Sequence, residues 1–98
     1  MLDDYETRKK HIQREKQKAK DLRKSSWWDA IVHKKKCSHC QTIVSSPSDL
    51  TMDHIVPLSK GGYSSRGNLV ASCKACNTKK RDRTTVEWIL EEGLILNK

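Results

Sequence analysis

An aspartate and a histidine stand side by side at Asp53 and His54, within the stretch TMDHIVPLSKGG at 51–62. Neighbouring side chains of a strand point to opposite faces, so burying this pair is costly unless both groups find polar partners. A carboxylate oxygen is a ligand that Mg²⁺ accepts, and a neutral imidazole can take a proton from water. The pair therefore indicates metal-assisted hydrolysis if further ligands lie nearby.

Four cysteines form two CxxC pairs, Cys37 with Cys40 and Cys73 with Cys76. Paired CxxC turns present four thiolates tetrahedrally, which favours a structural Zn²⁺ site. Reduced thiols without a metal, or one redox-active pair, are the alternatives, but a redox motif would occur once and in a βαβ context. His39 could replace a cysteine as a ligand, although four thiolates already complete the site. The segment between the pairs is longer than in a zinc ribbon and contains the Asp–His step.

The sequence around these residues predicts a ββα unit with a cysteine pair at either end. The expected elements are a short strand at 41–44, a strand at 50–56 ended by Pro57, a loop at 60–67, a return strand at 68–72 and a helix at 73–83.

Two asparagines are expected to lie near Asp53 and His54 in this ββα unit. Asn68 begins the return strand, and Asn77 follows Cys76 directly, so a metal that fixes Cys76 also fixes Asn77. Carboxylate and amide oxygens are hard ligands, so Asp53 and Asn77 are candidate ligands for Mg²⁺ or Mn²⁺. His54 beside that ion is the candidate general base.

The composition favours an anionic partner. The 98 residues include 20 Lys and Arg against 12 Asp and Glu, a formal charge of +8, which points to nucleic acid. Only 35% of the chain is hydrophobic, so a chain this small is expected to need an additional staple. No apolar run approaches transmembrane length and no signal peptide is recognisable, so we expect an intracellular protein of a bacterium or phage-infected cell, with no membrane partner.

The segments on either side of this unit read as helical. Residues 3–24 predict a long basic helix with a thin apolar stripe at Tyr5, Ile12 and Ala19. This helix could lie along a phosphate backbone, be a solvated arm, or pair with a second copy or a larger protein partner. His11 and His33 are expected on the surface.

The next segment is expected to form a second helix with Ser26 as its N-cap, or to continue the first helix. Its Trp27 and Trp28 should pack on the cysteine module, with base stacking as the other interpretation. Thr84 and Glu87 fit a capping box for a last helix through Glu92, closed by Gly93 and followed by a short strand at 94–96. Its apolar face is expected at Val86, Ile89 and Leu90, with Trp88 beside it.

The strings DHIVPLSKGG and NLVASCKACNTKK resemble the HNH endonuclease family in its four-cysteine form, over residues 37–83. They are also similar to the HNH domain of RNA-guided CRISPR enzymes. The resemblance implies a ββα-metal fold and single-metal hydrolysis of DNA phosphodiesters. Asp53 then corresponds to the acidic metal ligand, His54 to the general base, and Asn68 to the middle asparagine, which braces the loop and orients the histidine. Asn77 corresponds to the third letter, where many members have histidine, so the chain is an H-N-N variant.

The sequence thus predicts a small α+β protein with three parts: a basic helical extension at 1–36, a zinc-stapled HNH module at 37–83 and a packed helix at 84–98. The predicted function is an endonuclease that nicks or cuts DNA, with catalytic residues Asp53, His54, Asn68 and Asn77. Lys79, Lys80 and Arg81 are candidate phosphate contacts or a solvated face. The rival functions are a non-catalytic zinc-stabilised nucleic-acid-binding module and a bridging protein.

Overall fold

A computed structural model describes residues 4–92 as four helices around a two-stranded sheet. The helices and strands are α1 (Tyr5–Arg23), α2 (Ser26–Val32), β1 (Leu50–His54), β2 (Leu69–Cys73), α3 (Lys74–Lys80) and α4 (Thr85–Glu92). Short 3₁₀ turns lie at Pro47–Asp49, Leu58–Lys60 and Arg66–Asn68. The predicted small α+β fold, with two strands followed by a helix, is confirmed.

The two strands form an antiparallel pair whose register runs from Leu50 opposite Cys73 to His54 opposite Leu69. The strand predicted at 41–44 is wrong, because Ile43 makes only an isolated bridge to Lys36. The first cysteine turn explains the difference: the Gln41 amide donates to the Cys37 carbonyl at 3.0 Å, which folds the chain back before a strand can extend.

The core lies between the sheet, α2 and α4. Its buried members are Trp28, Val32, Cys37, Leu50, Ala71, Cys76 and Trp88. Trp27 packs against this cluster while partly exposed, so the expectation that both tryptophans pack on the cysteine module is confirmed. The helix that carries them begins one residue earlier than predicted, because the Ser25 side chain, not that of Ser26, accepts the Trp28 amide.

Two of the three residues in the seam that α1 buries are polar. The seam consists of His11, Glu15 and Ala19, which recur every four residues and therefore share one helix face. Of the thin apolar stripe, Ala19 is buried and Tyr5 is 70% exposed, so the stripe is not a continuous core face. The surface position predicted for His11 is wrong, since His11 is 3% exposed. His33 is exposed as predicted.

The last helix begins with the predicted capping box. The Thr84 amide donates to Glu87 Oε1 at 2.8 Å and the Glu87 amide donates to Thr84 Oγ1 at 3.0 Å. Its predicted apolar face is wrong: Val86 and Leu90 are exposed, and Trp88 is the residue that anchors the helix in the core. The indole is the largest side chain available, so burying it removes the most apolar surface from water. Gly93 and the strand predicted at 94–96 lie outside the described residues.

Candidate active site and metal centre

The four cysteines converge on one point, and two of them, Cys37 and Cys76, belong to the buried core. Their Sγ atoms all lie within 4.8 Å of one another, and Cys40 Sγ is 3.9 Å from Cys73 Sγ. Tetrahedral Zn²⁺ with bonds of about 2.3 Å needs sulfur atoms about 3.8 Å apart, so the donor set fits one such ion. His39 points elsewhere and takes no part in this cluster. The four residues are therefore positioned to bind a metal ion.

The thiols of this cluster differ in acidity. Burial raises the pKa of Cys76, and its neighbouring thiols raise it further. By contrast, the Thr42 hydroxyl, 3.0 Å from Cys40 Sγ, lowers the pKa of that thiol to about 6. A bound cation would favour the thiolate form of all four, because a metal deprotonates its coordinating thiols.

His54 lies at the end of β1, and its ring is held by a chain of hydrogen bonds that leads to α1. Its Nε2 is 2.9 Å from Ser64 Oγ, and the Ser64 hydroxyl donates to the Glu15 backbone carbonyl at 2.6 Å. Because that hydroxyl proton is committed to the carbonyl, Ser64 Oγ must accept from His54, so Nε2 carries the proton. The tautomer set by this chain leaves Nδ1 as the basic nitrogen of His54.

Glu15 binds Ser64 with its side chain as well as with its backbone carbonyl. Its Oε1 accepts the Ser64 amide at 2.7 Å, and its Oε2 pairs with Lys18 at 3.1 Å. Burial opposes ionisation of Glu15, but the Ser64 amide and Lys18 outweigh it, so the pKa of this carboxyl is below its usual value. Glu15 is therefore a buried carboxylate whose partners are supplied by the active-site loop and by its own helix.

The surroundings of His54 favour the neutral imidazole. Burial lowers its pKa below that of a free histidine, and although the adjacent Asp53 opposes this shift, Lys80 and Arg23 reinforce it. An imidazole that is neutral at physiological pH can accept a proton, as a general base must.

Asp53 is 6% exposed and has a partner on each carboxylate oxygen. His39 Nε2 donates to Oδ2 at 2.8 Å, and Lys80 Nζ donates to Oδ1 at 3.2 Å and to the His54 carbonyl at 2.8 Å. The His39 ring in turn meets Trp88 edge-on, with ring centroids 5.0 Å apart. These contacts fix the orientation of the carboxylate, as outer contacts of a metal ligand commonly do.

Lys80 corrects the sequence-based assignment of phosphate contacts. It is 1% exposed and engaged by Asp53, so it is not presented to an external phosphate. Lys79 and Arg81, its neighbours in the predicted set, are exposed. The sequence does indicate that Lys80 is buried, because it follows Cys76 by four residues and so shares the buried face of the helix.

Asn77 lies one turn before Lys80 on α3, which packs against both strands. Its side chain is partly buried and has no hydrogen-bond partner within residues 4–92. Each Asp53 oxygen keeps a free lone pair beside its present partner, and the Asn77 amide oxygen is likewise hard. Asp53 and Asn77 each therefore offer an oxygen of the kind that a hard divalent cation such as Mg²⁺ accepts.

Asn68 closes the loop between the strands. Its Oδ1 accepts the Val56 amide at 2.9 Å, and its Nδ2 donates to the carbonyls of Val56 at 3.0 Å and Tyr63 at 2.8 Å. Ser64, the partner of His54, directly follows Tyr63. Asn68 thus braces the loop that carries Ser64, while Ser64 itself contacts the histidine.

The two glycines of the loop are required for different reasons, one for its backbone conformation and the other for its lack of a side chain. Gly61 has a φ of 86°, in the left-handed region that favours glycine. A Cβ on Gly62 would lie 1.8 Å from the Val56 carbonyl oxygen, so no larger residue fits there. The Gly62 carbonyl accepts from His11 Nε2 at 2.7 Å, which joins the loop to α1. The glycine pair therefore permits the close packing that brings Ser64 to Glu15.

Residues 37–83 match the family model described as HNH endonuclease, the same range that the sequence resemblance covers. This range of the chain is similar to an HNH endonuclease domain, and its four clustered cysteines fit the metal-stapled form. A search of curated proteins found no match. None of the helices within residues 4–92 is long and apolar enough to cross a membrane.

Proposed function

We propose that this protein is a metal-dependent endonuclease that hydrolyses DNA phosphodiester bonds with His54 as the general base. The observation that carries the proposal is the chain of hydrogen bonds from His54 Nε2 through Ser64 Oγ to the Glu15 carbonyl, which leaves Nδ1 of His54 as the nitrogen that can accept a proton. The HNH domain over residues 37–83 supports a nucleic acid as the substrate.

In the proposed reaction, His54 Nδ1 takes a proton from a water molecule as its oxygen attacks phosphorus. The new P–O bond forms as the bond to the leaving ester oxygen breaks, and that oxygen is released as an alcohol after it takes a proton from solvent water, while His54 later returns its proton to solvent. A neutral His54 is ready for this step, because its lowered pKa keeps the base unprotonated at neutral pH.

Asp53 and Asn77 would hold the catalytic Mg²⁺ or Mn²⁺. The ion, when bound, supplies stabilisation of the negative charge that develops at the phosphoryl group. Asp53 is oriented for this role by His39 and Lys80, and Asn68 keeps the loop behind the site closed. Lys79 and Arg81 are exposed on the same helix and its end, where they would contact flanking phosphates.

Zn²⁺ is proposed as the ion held by the four cysteines, in a structural role. Four thiolates leave no open position for a substrate, unlike a catalytic zinc site. The division into a basic extension at 1–36, a module at 37–83 and a last helix at 84–98 stays a prediction, as does an intracellular location.

A non-catalytic DNA-binding module is the second candidate, because Lys80 already pairs with the carboxylate that would hold the catalytic ion. Cleavage of supercoiled plasmid in Mg²⁺ or Mn²⁺, beside an EDTA control, separates the two. The endonuclease produces nicked or linear DNA only with the metal; the binding module leaves the plasmid intact while still retarding it in a gel.

The metal assignment is tested with Asp53→Asn and, as a matched control, Asp82→Asn at an exposed position. We expect Asp53→Asn to lose both cleavage and Mn²⁺ binding measured by calorimetry, and Asp82→Asn to retain both. A melting curve checks that Asp53→Asn is folded. A folded Asp53→Asn protein that binds Mn²⁺ like the parent would refute the assignment.

A further inference from the structure

Helix α1 and His54 together line an open groove of about 650 Å³. Six lining residues come from α1: Gln13, Lys16, Gln17, Ala19, Lys20 and Arg23. Leu58 completes the wall beside His54. Three of these residues are cations, and none of the described residues lining the groove is acidic.

The cations are held in place because the neighbouring face of α1 is packed on the loop. Glu15 and His11 bind Ser64 and Gly62 at 2.7 Å each, and Glu15 is 1% exposed. At its other end, Arg23 Nη1 lies 3.9 Å from Met52 Sδ, two residues before His54 on β1. The helix is therefore not a free arm: its contacts aim Lys16, Lys20 and Arg23 at the groove.

The side chains that line the groove favour a phosphate-bearing polymer as its ligand. Lysine, arginine and glutamine side chains donate to phosphate oxygens, and an opening rather than a closed pocket suits a polymer that continues past the site. A second copy of this chain, at a formal charge of +8, would meet like charge in the groove. The seam at His11, Glu15 and Ala19 is already covered by the chain itself, so it offers no face for pairing.

We propose that the face of α1 formed by Lys16, Lys20 and Arg23 binds the phosphate backbone of a DNA strand and lays it across His54. This inference rests on the proposed function, since it names the surface that delivers the substrate to that site. It assigns the basic N-terminal helix to the active site itself.

Each phosphate contact contributes about 0.9 to the slope of log K against log salt for duplex DNA. Removing two contacts should lower the slope by about 2, and at ~0.1 M salt should weaken binding on the order of 50-fold. The variant is Lys16→Glu with Lys20→Glu. Its control is Lys10→Glu with Arg14→Glu, an equal change of charge at exposed positions on another face of α1. At physiological salt the Debye length of about 8 Å screens those distant charges from the groove.

Binding of a fluorescein-labelled DNA duplex is measured by anisotropy over a series of salt concentrations, with EDTA present so that no cleavage occurs. The inference predicts that the Lys16/Lys20 variant loses affinity and slope while the Lys10/Arg14 variant stays within a few-fold of the parent. Equal losses in both variants, or an unchanged slope in the first, would overturn it. Tighter binding of an RNA duplex of the same sequence would overturn the choice of DNA.

Cleavage by the parent protein in Mn²⁺ is recorded separately. A parent that binds DNA through this face but never cleaves would refute the proposed function and leave the groove assignment standing. A parent that cleaves, with both variants binding equally well, would refute the groove assignment alone. Sedimentation of the Lys16/Lys20 variant adds a last check, because a change in oligomeric state would make the face an interface between copies.

Discussion

Replacing Ser64 with alanine should impair catalysis without removing the base. The substitution deletes the Oγ atom that accepts from His54 Nε2 at 2.9 Å and donates to the Glu15 carbonyl at 2.6 Å. Without that acceptor, the His54 ring is free to protonate either nitrogen and to rotate. Nδ1 is then available as the base in only part of the molecules.

The size of the effect follows from one hydrogen bond. A net worth of about 1 kcal/mol for the contact to His54 corresponds to a roughly fivefold loss in kcat, with KM little changed. Deleting the base itself would cost about 10²- to 10⁴-fold, so the two effects are distinguishable. Ser64→Ala also removes the hydroxyl that donates to the Glu15 carbonyl. Loss of that hydrogen bond should reduce the free energy of unfolding by about 1 kcal/mol, which lowers Tm by roughly 4–8 °C in a domain of this size.

The assay combines single-turnover DNA cleavage, well below the melting temperature, with long-range ¹⁵N NMR of the histidines at alkaline pH. The parent should show His54 protonated on Nε2, and Ser64→Ala should show a mixture of tautomers. Ser65→Ala is the matched control, because Ser65 is exposed and its side chain makes no capping hydrogen bond. If Ser64→Ala keeps both the parental kcat and the Nε2–H tautomer, the serine does not orient His54.

Two further predictions concern protonation and the cysteine cluster. The pKa of His54 is lowered in the folded protein, and the base must be neutral to act. The cleavage rate should therefore rise with pH through that lowered pKa and be level at neutral pH. A rate that still rises steeply above neutrality would contradict the assignment of His54 as the base. Cys73→Ser should abolish zinc binding and unfold the domain. Structural zinc contributes about 10–16 kcal/mol in small zinc modules, whereas whole domains are stable by only about 5–15 kcal/mol. An unchanged melting curve and zinc content would refute a structural role for the metal.

The order and type of the central elements could be predicted because their signals are local. Pro57 ends the extended run that contains β1, CxxC spacing forces tight turns, and Thr84 with Glu87 marks a helix start. β1, β2 and α3 accordingly lie within a few residues of the prediction, whereas residues 41–44 form only an isolated bridge. The same local signals placed Asp53 and His54 at the end of the first strand and Asn77 on the helix after the second, as the structure has them, while their catalytic roles stay a prediction.

What the sequence could not reveal is the packing of α1 on the loop. The helix buries Glu15 and His11, which satisfy Ser64 and Gly62, and these partners are about fifty residues away in the chain. Hydrophobic periodicity detects apolar faces, so a seam of polar side chains satisfied by a distant backbone leaves no trace in it. Lys80 lies in a basic run, where charge alone does not separate a buried cation from its solvated neighbours; only its spacing of four residues from Cys76 indicates the buried face.

The measurement that tests the central claim most directly is the cleavage rate of His54→Ala beside the parent, in Mn²⁺, with both proteins shown to be folded and to bind DNA equally. We predict a loss of about 10²- to 10⁴-fold in the cleavage rate, with binding retained. A His54→Ala protein that cleaves as fast as the parent would show that His54 is not the base.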